Sequence, residues 1–224
     1  MDLPPQLLRG IYASAYETPS PIQSKAIVPM KSGRDIIAQA QSGTGKTVAF
    51  VSGALAQVDT RSTAAQVLIL APTHELVRQI SDVTCKLADM MPDLHVKTLV
   101  GGVSTQADIA SMQKQPPQIL IGCPGRVADM IRSRKIRPST LKTVVLDEAD
   151  NLLSDGFQEQ VFYIFQSLKR DTQIAIFSAT LSMQTYRVIA KFMRNPTHIR
   201  VKAEMLTLEG ISQSYIKVAN DDDK

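Results

Sequence analysis

At 224 residues the chain is long enough for one large domain or two small ones with a sizeable core. Apolar residues make up 44% and charged residues 21%, the balance of a globular protein, and no apolar run is long enough to span a bilayer. The formal charge of +4 is compatible with a nucleic-acid partner but does not demand one, and with no Trp and 5% aromatics no stacking platform for single-stranded bases stands out.

The N-terminus, Met1-Asp2-Leu3-Pro4-Pro5, lacks the basic and apolar regions of a secretory signal. Leu7 to Met30 predicts two short helices with a break at Pro19-Ser20-Pro21. Short apolar runs follow: Asp35-Ile36-Ile37-Ala38, Val67-Leu68-Ile69-Leu70-Ala71, Val96-Lys97-Thr98-Leu99-Val100, Gln118-Ile119-Leu120-Ile121, Thr143-Val144-Val145-Leu146 and Gln173-Ile174-Ala175-Ile176-Phe177. Runs of this length, rich in Val and Ile, suit strands covered on both faces. The segments between them, Glu75 to Met91 and Gln158 to Lys169 among others, have apolar residues at helical spacing. Alternating strand and helix predicts an α/β fold, a doubly wound parallel sheet flanked by helices, in which ligands sit beyond the carboxyl ends of the strands. The terminal Asn220-Asp221-Asp222-Asp223-Lys224 reads as an acidic tail. Two cysteines, Cys85 and Cys123, cannot build a disulfide framework and are expected to be buried, reduced thiols in a cytosolic or nuclear setting.

Chemistry-bearing residues follow the apolar runs. Ala40-Gln41-Ser42-Gly43-Thr44-Gly45-Lys46-Thr47 lies after a strand and opens a helix, the context that makes this pattern a phosphate-binding P-loop. Its small residues let backbone amides turn toward a β-phosphate. Lys46 supplies charge to the β- and γ-phosphates, the Thr47 hydroxyl can ligate magnesium, and the helix N-terminus adds its dipole. Asp147-Glu148-Ala149-Asp150 follows Val144-Val145-Leu146. A carboxylate at that strand end is where a P-loop ATPase holds magnesium, so Asp147 is the candidate metal residue and Glu148 the candidate general base. An acidic helix N-terminus would look the same in isolation. Ser178-Ala179-Thr180 puts two hydroxyls at another strand end, where they can bond the acidic residues; Ser and Thr are also ordinary helix caps.

These three motifs, in this order, resemble the DEAD-box family of RNA-dependent ATPases, the RNA helicases of superfamily two, over essentially the whole chain. The resemblance implies a RecA-like P-loop domain that uses ATP and Mg2+. Tyr16-Glu17-Thr18-Pro19-Ser20-Pro21-Ile22-Gln23 looks like the family's Q motif. Tyr16, Pro21 and Gln23 would then hold the adenine, Gln23 through paired hydrogen bonds and Tyr16 by stacking, which favours ATP over GTP. Pro72-Thr73-His74-Glu75-Leu76 resembles motif Ia, Gly101-Gly102 the glycine pair, and Cys123-Pro124-Gly125-Arg126 motif Ib. In relatives these line an RNA-backbone groove away from ATP, so Pro72, Thr73, His74, Gly101, Gly102, Pro124, Gly125 and Arg126 become candidate RNA contacts with little sequence preference. Asp150 would link to Ser178 and Thr180 and couple hydrolysis to strand separation. Leu7-Leu8-Arg9-Gly10-Ile11-Tyr12-Ala13, Ile36 to Gly43 and Leu208-Glu209-Gly210-Ile211 resemble the translation initiation factor 4A branch and its exon-junction relatives.

Departures from the family pattern are His74 for the usual Arg of motif Ia, Cys123 for the usual Thr of motif Ib, and Ala15-Tyr16 for Gly-Phe. The first two each remove a phosphate contact and predict weaker or more salt-sensitive RNA binding. Nothing here matches the second RecA-like domain, which supplies arginine fingers in relatives. Residues 1–205 are expected to form the ATP-binding domain and residues 206–224 a linker and the start of the second. Without an arginine finger, worth about a thousandfold or more, this chain alone should hydrolyse ATP negligibly. An ATP-gated RNA clamp with low turnover uses the same residues and is the alternative to a helicase; a P-loop NTPase acting on DNA or protein fits the Q motif poorly.

Overall fold

The computed structural model describes residues 1–153 and 156–201, leaving out the side chain of Gln184. Among the described residues seven strands form one parallel sheet: β1 (Ile36–Gln39), β2 (Val67–Leu70), β3 (Val96–Leu99), β4 (Ile119–Gly122), β5 (Thr143–Asp147), β6 (Gln173–Ser178) and β7 (Thr197–Arg200). Their order is β3-β4-β2-β5-β6-β1-β7. Six are the apolar runs expected from the sequence. β7 was not expected, because only one of its residues, Ile199, is buried and its sequence has no continuous apolar stretch.

Helices cover both faces. α1 (Pro5–Ala13), α2 (Pro21–Lys31), α3 (Lys46–Leu55) and α4 (His74–Leu87) lie on one side; α6 (Pro124–Arg132), α7 (Ala149–Leu152) and α8 (Gln158–Ser167) lie on the other. α5 (Thr105–Lys114) follows β3, and α9 (Met183–Ile189) follows β6. Alternate strand residues divide between two cores. Ile36, Ile69, Val145 and Phe177 pack with Leu7, Met30, Phe50, Ile80 and Leu87, whereas Ile37, Leu68, Val144 and Ile176 pack with Val127, Met130, Val161 and Ile164. Both faces are buried, so the strands need continuous rather than alternating apolar residues.

Several boundaries differ from expectation. Asp35 precedes β1 rather than belonging to it. Its buried carboxylate instead accepts hydrogen bonds from the Ile174 and Arg194 amides, pinning the start of the sheet. α4 stops at Leu87, before Pro92, which cannot extend a helix and disfavours helical geometry just before it. The break at Pro19-Ser20-Pro21 is realised as a start signal: Ser20 caps α2 and Pro21 occupies its first turn. Cys123 is buried as expected, but Cys85 is exposed, because it sits one position off the α4 stripe of Val77, Ile80, Thr84 and Leu87 that faces the core.

Candidate functional site

Strand order assembles the site. β5 and β6 are formed late in the chain, yet they slot between β1 and β2. Asp147 stands opposite Phe177, and Gln39 stands opposite Ser178. The carboxyl ends of β1, β5 and β6 therefore bring the Ala40–Thr47 loop, Asp147-Glu148 and Ser178–Thr180 together, as parallel-sheet topology favours.

The loop turns through two glycines in the left-handed region, Gly43 at φ 78° and Gly45 at φ 90°. Side chains rarely adopt that conformation. The Ala40 amide donates to the Ser178 carbonyl at 3.1 Å, and the Thr44 hydroxyl donates to the Gln41 carbonyl at 2.8 Å. Gln41, Ser42 and Gly43 form an exposed rim, and Lys46 begins α3 with a largely buried side chain. Thr47 follows, half-buried, in the first turn of α3.

Asp147 ends β5 and is 3% exposed. One oxygen accepts the Glu148 amide at 3.0 Å. Burial pushes its carboxyl up to about 6, against the pull of Lys46 and that amide, and Glu148 and Asp150 add to the rise. A buried carboxylate that is costly to ionise has the chemistry of a waiting cation ligand. Among the described residues no group of three or more His, Cys, Asp or Glu is arranged to hold a metal by itself. Magnesium that keeps water and phosphate ligands needs only one or two from protein, and the Asp147 carboxylate with the Thr47 hydroxyl fits that donor set.

Glu148 is a non-glycine residue in the left-handed region, at φ 50° and ψ 52°, between β5 and α7. Such backbone strain concentrates at functional sites. Its Oε2 accepts from the Asn151 side-chain amide at 3.0 Å. Asp150 receives two hydroxyl donors at 2.6 Å, Ser178 on Oδ1 and Thr180 on Oδ2. Burial alone raises the Asp150 carboxyl, but these hydroxyls and nearby backbone amides outweigh it and hold the group below its ordinary value.

Gln23 closes the loop from the other side. It is 6% exposed. Its Oε1 accepts the Ser20 amide at 2.8 Å and its Nε2 donates to the Gly45 carbonyl at 3.3 Å. A side chain on Gly45 would meet Gln23 Nε2 at 2.5 Å, so this glycine also serves close packing. One N–H and one acceptor lone pair of the amide remain for a ligand. Tyr16 is 38% exposed and, with Gln23, lines a cleft of about 450 Å3 between the N-terminal segment, α1, α2 and α3. Ala15 adopts φ 62°, which explains why glycine suits that position.

The other candidate residues gather at the carboxyl ends of β2, β4 and β3, strands that are neighbours at the far side of the sheet. Thr73 follows β2 by way of Pro72 and caps α4, its hydroxyl oxygen accepting the Leu76 amide at 3.2 Å. The His74 ring lies 3.6 Å from where a Gly101 side chain would begin. Gly102 (φ 77°) and Gly125 face open space, and Cys123 precedes α6, with Pro124 in that helix's first turn. Arg126 is engaged within the chain: its guanidinium bonds Asp108 and Thr105 at 3.0 Å each and also the Val103 carbonyl. Sequence reasoning did not single out Asp108, which has no local motif around it.

Fold and site together define a RecA-like P-loop domain. Residues 20–204 match the DEAD/DEAH box helicase family, and the chain belongs to that family. An Aspergillus clavatus protein named ATP-dependent RNA helicase eIF4A is 49% identical over 222 residues, which cover 99% of this chain and 55% of that protein. The protein of the same name from Neurospora crassa is 48% identical, with coverage of 99% and 55%. Saccharomyces cerevisiae Dbp5 bound to RNA and ADP BeF3 superposes with a TM-score of 0.82 at 32% identity, covering 95% of this chain and 54% of that one. A DEAD box protein from the hyperthermophile Methanococcus jannaschii gives 0.86 at 30% identity, covering 97% and 58%. The chain spans about half the length of these relatives. Among the described residues no helix is long and apolar enough to cross a membrane. Residues 206–224 lie outside the described residues.

Proposed function

We propose that this chain is the ATP-binding half of an RNA-dependent ATPase that separates RNA strands, with residues 1–205 as the domain and a second RecA-like domain completing the site. The observation that carries the reading is the convergence of Lys46, Asp147 and Glu148 at the ends of β1 and β5, with Asp150 tied to Ser178 and Thr180 beside them. The loop amides and Lys46 would hold the triphosphate, and Tyr16 and Gln23 the adenine. Magnesium, held by Asp147 and Thr47, would neutralise charge between the β- and γ-phosphates. Glu148 would orient a water and take its proton. The set Pro72–His74, Gly101-Gly102 and Pro124-Gly125 would meet RNA phosphates and sugars. Relatives named ATP-dependent RNA helicases support the helicase reading over a low-turnover clamp, and their greater length supports a second domain.

Titration with fluorescent ATP and GTP analogues, with and without magnesium, tests the nucleotide half. ATP should bind more tightly than GTP and Lys46→Ala should abolish binding; equal affinity for the two bases would overturn the adenine reading. In the complete protein Glu148→Gln should keep ATP binding and lose RNA-stimulated hydrolysis. Stimulation by DNA as strong as by RNA would sink the choice of substrate.

A further inference from the structure

The only buried residue of α5 is a carboxylate, Asp108. Its side chain is 4% exposed and faces two cations, Lys97 of β3 and Arg126 of α6, each at 3.0 Å. A carboxylate is seldom buried so fully unless it is paired, and here two cations pair it. Arg126 is 10% exposed and committed inward: besides Asp108 it bonds the Thr105 hydroxyl and the Val103 carbonyl. One ion-pair network thus ties the edge strand β3, the loop after Gly101-Gly102 and the first turn of α6 to one another. The loop and the first turn of α6 are two of the three segments that the RNA reading places against the backbone, and the third lies beside them, with the His74 ring next to Gly101.

We propose that Asp108 is a positioning residue for RNA: it holds Arg126 in place, and Arg126 fixes the Gly101–Thr105 loop against the start of α6 rather than touching phosphate itself. The claim rests on the RNA reading above. Its logic is preorganisation. Gly102 and Gly125 face open space, and Gly102 holds a left-handed φ of 77°, so the loop needs an anchor to present one fixed edge. The guanidinium supplies it, because a planar fork satisfies the carboxylate, the hydroxyl and the carbonyl at once.

The two roles of Arg126 predict opposite signs. If Arg126 met phosphate directly, Asp108→Asn would release a masked cation and tighten RNA binding. If it positions the loop, the same change weakens binding. The test follows a fluorescent oligouridylate over a potassium chloride series on this chain, with fluorescent ADP in parallel. Asp108→Asn should weaken RNA binding about tenfold, the scale of one lost hydrogen bond, with ADP affinity and salt slope unchanged. Arg126→Lys, which keeps the charge and loses the fork, should be as weak as Arg126→Gln, and the double variant Asp108→Asn with Arg126→Gln no weaker than the weaker single one. Tighter or unchanged RNA binding by Asp108→Asn overturns the proposal, as does near-normal binding by Arg126→Lys, or a salt slope lowered by about 0.7 in Arg126→Gln, the mark of a lost contact to single-stranded phosphate. A parallel loss of ADP affinity in Asp108→Asn also overturns it, making Asp108 a general prop of the fold. Wild-type chain that binds no RNA at any salt overturns the RNA reading, and this proposal with it.

Discussion

Asp147→Asn separates the stability of this domain from its chemistry. In the nucleotide-free protein, burial raises the Asp147 carboxyl from its ordinary 3.8 to about 6. The native state therefore holds this proton more tightly than the unfolded chain does. As pH rises from 3.8 to about 6, the unfolded carboxyl ionises first, so the native state progressively loses stability. Above the folded value the full cost is present. Two-odd pH units at about 1.4 kcal/mol each amount to about 3 kcal/mol. Asparagine keeps the shape and removes the ionisation, though it also deprives Lys46 of an attraction, so about 3 kcal/mol is the ceiling of the gain. Urea unfolding with EDTA and no nucleotide, from pH 4 to pH 8, should show the variant's advantage climbing toward pH 6 and flat above 7. The same variant should lose magnesium-dependent nucleotide affinity. In the wild type that affinity should rise with pH through about 6, as the ligand becomes ionised. A stability difference independent of pH, or one that shrinks as pH rises, would refute the argument that burial sets this carboxyl's charge.

Ala15→Gly should raise stability by about 0.5–1 kcal/mol, since φ 62° strains a side chain and not glycine; an unchanged or lower Tm contradicts this. Gly10→Ala should lower it by about 2 kcal/mol or more, because a Cβ there would lie 2.1 Å from the Leu87 carbonyl oxygen and force α1 off α4; a negligible change in a urea melt would show that α1 shifts freely. His74→Arg should tighten RNA binding in the complete protein and steepen its salt dependence by about 0.7. Identical titrations across salt would remove His74 from the RNA edge.

Much of the fold was legible because its signals are local. Strands buried on both faces need uninterrupted apolar residues, and such runs stand in the sequence as β1, β2, β4, β5 and β6, while the edge strand β3 was marked by Val96, Leu99 and Val100 around Lys97 and Thr98. The Ser20–Gln23 capping box and the Gly43–Lys46 turn are likewise written in neighbouring residues. β7 escaped notice because Ile199 is the single apolar residue between Thr197 and Arg200. Cys85 was misplaced because one helical position separates a core residue from an exposed one.

The candidate site divides the same way. The sequence by itself determined which residues have the chemistry: a loop built to surround phosphate, a strand-end aspartate, and two hydroxyls at the end of the next strand. Their types and spacing follow from turn geometry and strand length, which a short segment specifies alone. Only the tertiary structure decided that β5 and β6 stand between β1 and β2 and so bring the loop from Ala40 to Thr47 beside Asp147 and Ser178. It alone showed Gln23 bound to the Gly45 carbonyl, and Arg126 turned inward onto Asp108. The physical reason is that hydrogen-bond and ion-pair partners far apart in the chain are chosen by strand order and burial, and neither is encoded at any one position.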